Sequence, residues 1–115
     1  MTPKEIEYYA KMAKRDRIFS FRKDGKFYGL ITFLVGNSDN KFVRDDPWSI
    51  VEDENNGQIV YIDQFLSNRD NTDMKSRVTF WNELKTYLKL RFSDARCIKW
   101  NRYRDGKVHK HTQTL

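Results

Sequence analysis

Gln58-Ile-Val-Tyr-Ile-Asp-Gln-Phe-Leu66 and the segment from about Asp73 to Arg91 decide how this chain folds. The first is apolar enough for a central strand. In the second, Val78, Trp81, Leu84 and Leu88 recur at helical spacing, and Phe80, Tyr87 and Phe92 widen the stripe into a face that packs on a sheet. A polar turn rich in helix-capping residues joins the two. One carboxylate, Asp63, interrupts the strand among Ile62, Phe65 and Leu66. It must be paired, sit at a strand irregularity or open onto a cleft, because burying it bare is costly.

Outward toward the C-terminus, Ser93-Asp94 stops the helix and Ala95 to Tyr103 reads as another strand. Arg104-Asp105-Gly106-Lys107 is a tight turn, and Val108 to Leu115 pairs back as a polar edge. Toward the N-terminus, Lys23-Asp24-Gly25-Lys26 repeats that turn between Ile18–Arg22 and Phe27–Val35. Gly29 marks a bulge or a close backbone approach. Thr2-Pro3-Lys4-Glu5 caps a helix whose expected inner face is Ile6, Tyr9, Ala10 and Ala13. Gly36 to Pro47 is a long polar loop, with Trp48 to Val51 expected as a short edge strand before the acidic turn Glu52–Gly57. The order predicts one α+β domain over 1–115. Its sheet is mostly antiparallel, of about five to six strands, with an N-terminal helix and one long helix over about 73–91.

Aromatics make up 15% of the 115 residues, so a small sheet can be stabilised by large rings. Phe27 to Val35 is strand length, too short to span a bilayer, and the charged first residues do not form a secretory signal. With Cys97 as the single cysteine, these features point to a soluble protein of a reducing compartment and to no intramolecular disulfide. Net charge is +6, unevenly spread: residues 37–73 hold nine acidic and three basic residues. Such asymmetry favours an anionic partner for the chain ends, or an acidic loop that folds back over a basic face.

Ile59 to Leu66, Val78 to Leu90 and Cys97 to Trp100, flanked by two hairpins, resemble the core of the GNAT acyltransferase fold in truncated form. The closer likeness is to small GNAT-like proteins of phages and to toxin-activating lysine acyltransferases, and it spans roughly residues 18–110. The resemblance implies a thioester donor, acyl-CoA or an acyl carrier, if the chain is catalytic, and no cofactor otherwise. It implies a host-cytoplasmic or virion location for a phage-encoded protein. The turn Asn68–Arg77 lacks the glycines that hold a pyrophosphate in that family and carries aspartates instead. Toxin-activating relatives pair their strand Asp with an N-terminal His; here no His precedes His109.

The residues themselves offer three kinds of site. Asp63 has general-base potential, with His109 as a possible dyad partner; a structural carboxylate bonded to Arg or Tyr is the plainer alternative. His109 and His111 share one face of the last strand, too few ligands to call for a metal. Lys99, Arg102, Tyr103, Arg104, Lys107 and Lys110, extended by Arg22, Lys23 and Lys26, form a basic surface with Trp100 or Tyr103 available to stack on a base. Lys11, Lys14, Arg15 and Arg17 would enlarge it. Phe42 and Trp48 on the acidic loop could anchor a protein partner. Three functions follow: a basic non-catalytic binding module for nucleic acid or protein, a minimal acyltransferase, or a virion-associated interaction component of a phage or mobile element.

Overall fold

The computed structural model describes residues 1–68 and 73–115. Helix α1 (Pro3–Lys14) precedes strands β1 (Ile18–Lys23), β2 (Lys26–Gly36) and β3 (Ile59–Ser67). Helix α2 (Met74–Arg91), β4 (Cys97–Arg104) and β5 (Lys107–Thr114) complete the chain. The five strands form one sheet in sequence order. Every neighbouring pair is antiparallel except β3–β4, which α2 connects as a parallel pair. The α+β class, the mostly antiparallel sheet and both helices are as the sequence predicts.

Each sheet face has its own core. Phe33, Val35, Val60, Ile62 and Ile98 meet Phe80, Leu84 and Leu88 of α2 on one side. Leu34 and Tyr61 meet Tyr8 and Met12 of α1 on the other, with Phe42 of the loop. Burying each of these side chains contributes about 1.5–3 kcal/mol before entropy is counted. Both helix faces are rotated from the expected ones. On α2, Val78 is 51% exposed and Phe80 takes the inward position. On α1, Ile6, Ala10 and Ala13 are outside or at the margin, and Tyr8 and Met12 are buried. Tyr8 can be buried because its hydroxyl finds partners in the sheet.

Both Asp-Gly turns have positive φ at their two central residues, Asp24 (52°) with Gly25 (76°) and Asp105 (54°) with Gly106 (73°). The β2 register shifts opposite Phe21/Arg22, and a Cβ on Gly29 would lie 3.0 Å from the Leu66 carbonyl oxygen. The close approach expected at Gly29 is therefore present, and the bulge falls one residue earlier, at Tyr28.

Residues 47–51 are not a strand. The loop folds down onto α1 and the sheet, held by ion pairs rather than a ladder. Asp53 meets Arg17 at 2.8 Å, Glu52 meets Arg15 at 3.3 Å and Asp46 meets Lys4. The acidic loop therefore covers a basic face, and Arg15 and Arg17 are withdrawn from any exposed cationic patch. Among the described residues no helix is long and apolar enough to cross a membrane.

Candidate functional site

β3 and β4 pair only through Ile59↔Cys97, Val60↔Ile98 and Tyr61↔Lys99. β3 continues to Ser67 and β4 to Arg104, so beyond this junction the two strands separate. A bulge in β3 begins at the same level. Phe33 pairs with Ile62 and Thr32 with Gln64, leaving Asp63 as the extra residue. The Gln64 amide donates to Thr32 Oγ1 (3.1 Å) in place of a ladder bond. A bulge bends and twists its strand, and here it coincides with the level at which β3 leaves β4.

Cavities lie on both faces of the split. On the α1 side, about 340 Å³ is lined by residues including Trp48, Tyr61, Asp63, Gln64 and Tyr103. On the α2 side, about 430 Å³ is lined by residues including Phe65, Arg77, Trp81, Trp100 and Arg102. Asn101 lines both, at the level where they meet. Phe65 is 51% exposed and Leu66 half-exposed, an apolar end for an inner strand.

Asp63 is committed to internal partners. Arg44 donates Nη2 to Oδ2 (2.9 Å) and Nη1 to Oδ1 (3.3 Å), and Tyr8 donates its hydroxyl to Oδ2. The carboxylate side chain is 7% exposed and the guanidinium 10%. Arg44 also donates to the Phe42 and Pro47 carbonyls and to Ser49 Oγ, so one side chain ties the loop together and fastens it to the bulge. Burial, then the Asp63 charge, push the Tyr8 phenol far above its ordinary value. The same two causes, in that order, raise Tyr61. This arrangement positions a loop, as in the plainer alternative for Asp63.

The other candidates fall into separate groups. His109 stands opposite Arg102 on β5, and alternation places it on the α2 side with His111; Asp63 faces the α1 side. The structure does not bring Asp63 and His109 together. Among the described residues no three metal-ligating side chains cluster. Trp100 stacks on His111 (5.2 Å, 11°) and leans on Trp81 (5.2 Å, 33°), which occupies the ring expected to stack on a base. Tyr103 is 72% exposed and keeps that capacity. Phe42 is 1% exposed and packs on Tyr61, so it belongs to the core and presents no anchor. Trp48 is half-buried, edge-on to Tyr8, with one side on the α1-side cavity. Cys97 is half-buried at the start of β4.

The two basic hairpins do share one end of the sheet. β2 is antiparallel to β3 and β4 is parallel to it, so both turns project beyond the end of β3, one on each side. Arg22, Lys23 and Lys26 lie on the first hairpin; Lys99, Arg102, Arg104, Lys107 and Lys110 lie on the second. Lys23 is drawn inward to Ser76 Oγ (3.1 Å), at the first turn of α2. That turn is capped by the Asp73 carboxylate, which accepts from the Ser76 amide (2.8 Å). Arg77 and Arg102, which border the α2-side cavity, have no ion-pair partner among the described residues. Expectations for the joining turn that involve residues 69–72 lie outside the described residues.

Sequence reasoning missed Tyr8, Arg44, Gln64 and Asn101. Only Arg44 had a visible signal, as a cation inside the acidic loop; the others depend on the bulge and the split. No family model, curated protein or solved structure matches this chain.

Proposed function

We propose that this protein is a non-catalytic binding module that grips an acidic segment of a protein partner at the split end of its sheet. One observation carries the reading: the facing edges of β3 beyond Tyr61 and β4 beyond Lys99 have no ladder between them, beside Arg77 and Arg102, which have no ion-pair partner among the described residues. A peptide presents backbone donors and acceptors at the spacing a strand edge requires, and a nucleic acid does not. The cationic hairpins supply long-range attraction for an acidic chain. The engagement of Asp63 by Arg44 and Tyr8 supports a role without catalysis. Nucleic acid is the weaker partner because Trp100 is already stacked, leaving Tyr103 and the smaller imidazole of His109 as the exposed rings on the basic hairpin.

Fluorescence anisotropy tests this with a labelled peptide of alternating glutamate and valine, a neutral peptide of glutamine and valine, and a single-stranded oligonucleotide. Tight, salt-sensitive binding of the acidic peptide alone is expected. Preference for the oligonucleotide, or equal binding of both peptides, refutes the proposal.

The opening of the split beside α2 supports a second reading, a minimal acyltransferase similar to GNAT enzymes that takes acyl-CoA or an acyl carrier on that side, where His109 lies and Asp63 does not. That reading requires coenzyme A to raise the melting temperature. It also requires the His109→Ala variant to lose transfer activity while remaining folded.

A further inference from the structure

The split end has the form of a sheet lacking one strand. Amide directions alternate along a strand. The Asn68 amide donates to the Tyr28 carbonyl and the Gln64 amide to Thr32, both toward β2. The intervening Phe65 and Ser67 amides therefore point the other way, toward β4, where the ladder has ended at Tyr61↔Lys99. The sheet faces on either side of this gap also differ in chemistry. On the α2 side, Arg77 and Arg102 stand over an aromatic floor without carboxylate partners among the described residues. On the α1 side, Arg44 and Asp63 neutralise each other, leaving Gln64, Asn101 and the rings of Trp48 and Tyr103.

We infer that the partner segment enters as an added strand between β3 and β4, its alternate side chains divided between the two cavities. Successive residues of a strand point to opposite faces, so one set meets Arg77 and Arg102 and the other meets the neutral wall. The recognised pattern is acidic and neutral residues in strict alternation. Grouped acids fail because every second one turns toward the neutral side. Sliding the peptide by one residue exchanges the faces, so the alternation is selected and its phase is not. Backbone pairing with Phe65 and Ser67 supplies affinity independent of sequence. This inference rests on the binding-module reading above, and its test separates the two.

Three short peptides are compared against the full chain: glutamate alternating with valine, the same composition in blocks, and the alternating peptide N-methylated at every second amide. The expected result is that blocking and methylation each weaken binding about tenfold, the scale of one lost hydrogen bond or contact. The Arg77→Gln/Arg102→Gln variant should weaken the alternating peptide similarly. Neither side chain has an ion-pair partner among the described residues, so the fold should be retained, which circular dichroism checks. Hydrogen exchange at the Phe65 and Ser67 amides should slow when the alternating peptide is bound. Equal binding of all three peptides overturns strand insertion while leaving charge-driven capture of an acidic segment intact. Failure of every peptide, with or without binding of an oligonucleotide or coenzyme A, overturns both.

Discussion

Arg44 and Asp63 join the loop to the sheet through a two-pronged ion pair, one from the middle of an acidic segment and the other from the bulge of the central strand. The pair is almost wholly buried, and the same guanidinium also holds two loop carbonyls. It is the main polar link between residues 42–49 and the rest of the protein.

Removing one partner leaves the other charged and buried. Arg44→Met should therefore destabilise the protein by about 3–5 kcal/mol, read from the midpoint of urea unfolding. Replacing both, in Arg44→Met/Asp63→Leu, should recover most of that loss. If Arg44→Met alone costs less than about 1 kcal/mol, the pair is not what holds the loop.

Tyr8 links stability to alkaline pH. Its folded-state value lies above the unfolded one, first because it is buried and then because Asp63 is near. A group shifted upward contributes stability below the unfolded value, near pH 10, and loses it as the pH rises further. Tyr8→Phe should lower stability at pH 7 by about 1–2 kcal/mol through the lost hydrogen bonds, and should flatten the decline above pH 10. Melting temperatures between pH 8 and pH 11 would reveal this.

Asp73 makes the opposite contribution. The backbone amide of Ser76, then its hydroxyl, hold the carboxyl below the ordinary carboxylate range. Stability from this cap is present above the unfolded value and disappears as the pH falls through the folded one. Asp73→Ser keeps an N-cap acceptor and should remove this acid dependence, whereas Asp73→Ala should lose the cap at every pH. Helical ellipticity during thermal melts at neutral and acidic pH distinguishes the three proteins.

Gly57 lies directly on the backbone of Gly36. An added Cβ would sit 2.5 Å from Gly36 Cα and N, too close for any rotamer change to relieve. Gly57→Ala should cost about 1–3 kcal/mol by forcing the loop away from the end of β2. Gly106→Ala meets no atom, yet its φ of 73° should cost about 1–2 kcal/mol through strain alone. Urea midpoints of the two variants check both values.

The α+β architecture was legible because Gln58–Leu66 and the 73–91 segment have unmistakable lengths and periods, and because Asp-Gly reports its turn type chemically. Helix rotation was less legible. Val78 and Phe80 are two residues apart, and only the sheet's shape selects which one turns inward. Trp48 to Val51 read as a strand because of its β-branched and aromatic residues, but ion pairs to α1 held that segment instead. The site was almost invisible in sequence. Asp63 stood out as a charge in an apolar run, but its partners Tyr8 and Arg44 are far along the chain, and a bulge has no reliable signature in one sequence. Trp100 looked available for stacking because the Asp105-Gly106 turn sets His111 opposite it but does not tell that the imidazole lies flat on the indole, with Trp81 packed against it too.

The three-residue junction between β3 and β4 implies an uneven distribution of rigidity. β1, β2 and β3 share long registers, while the terminal hairpin is joined to them through a short seam and the packing of α2. Small cooperative units of this kind open independently of global unfolding. In mechanical terms the C-terminal hairpin is a cantilever anchored at Tyr61 and Lys99, the seam with the shortest ladder in the sheet.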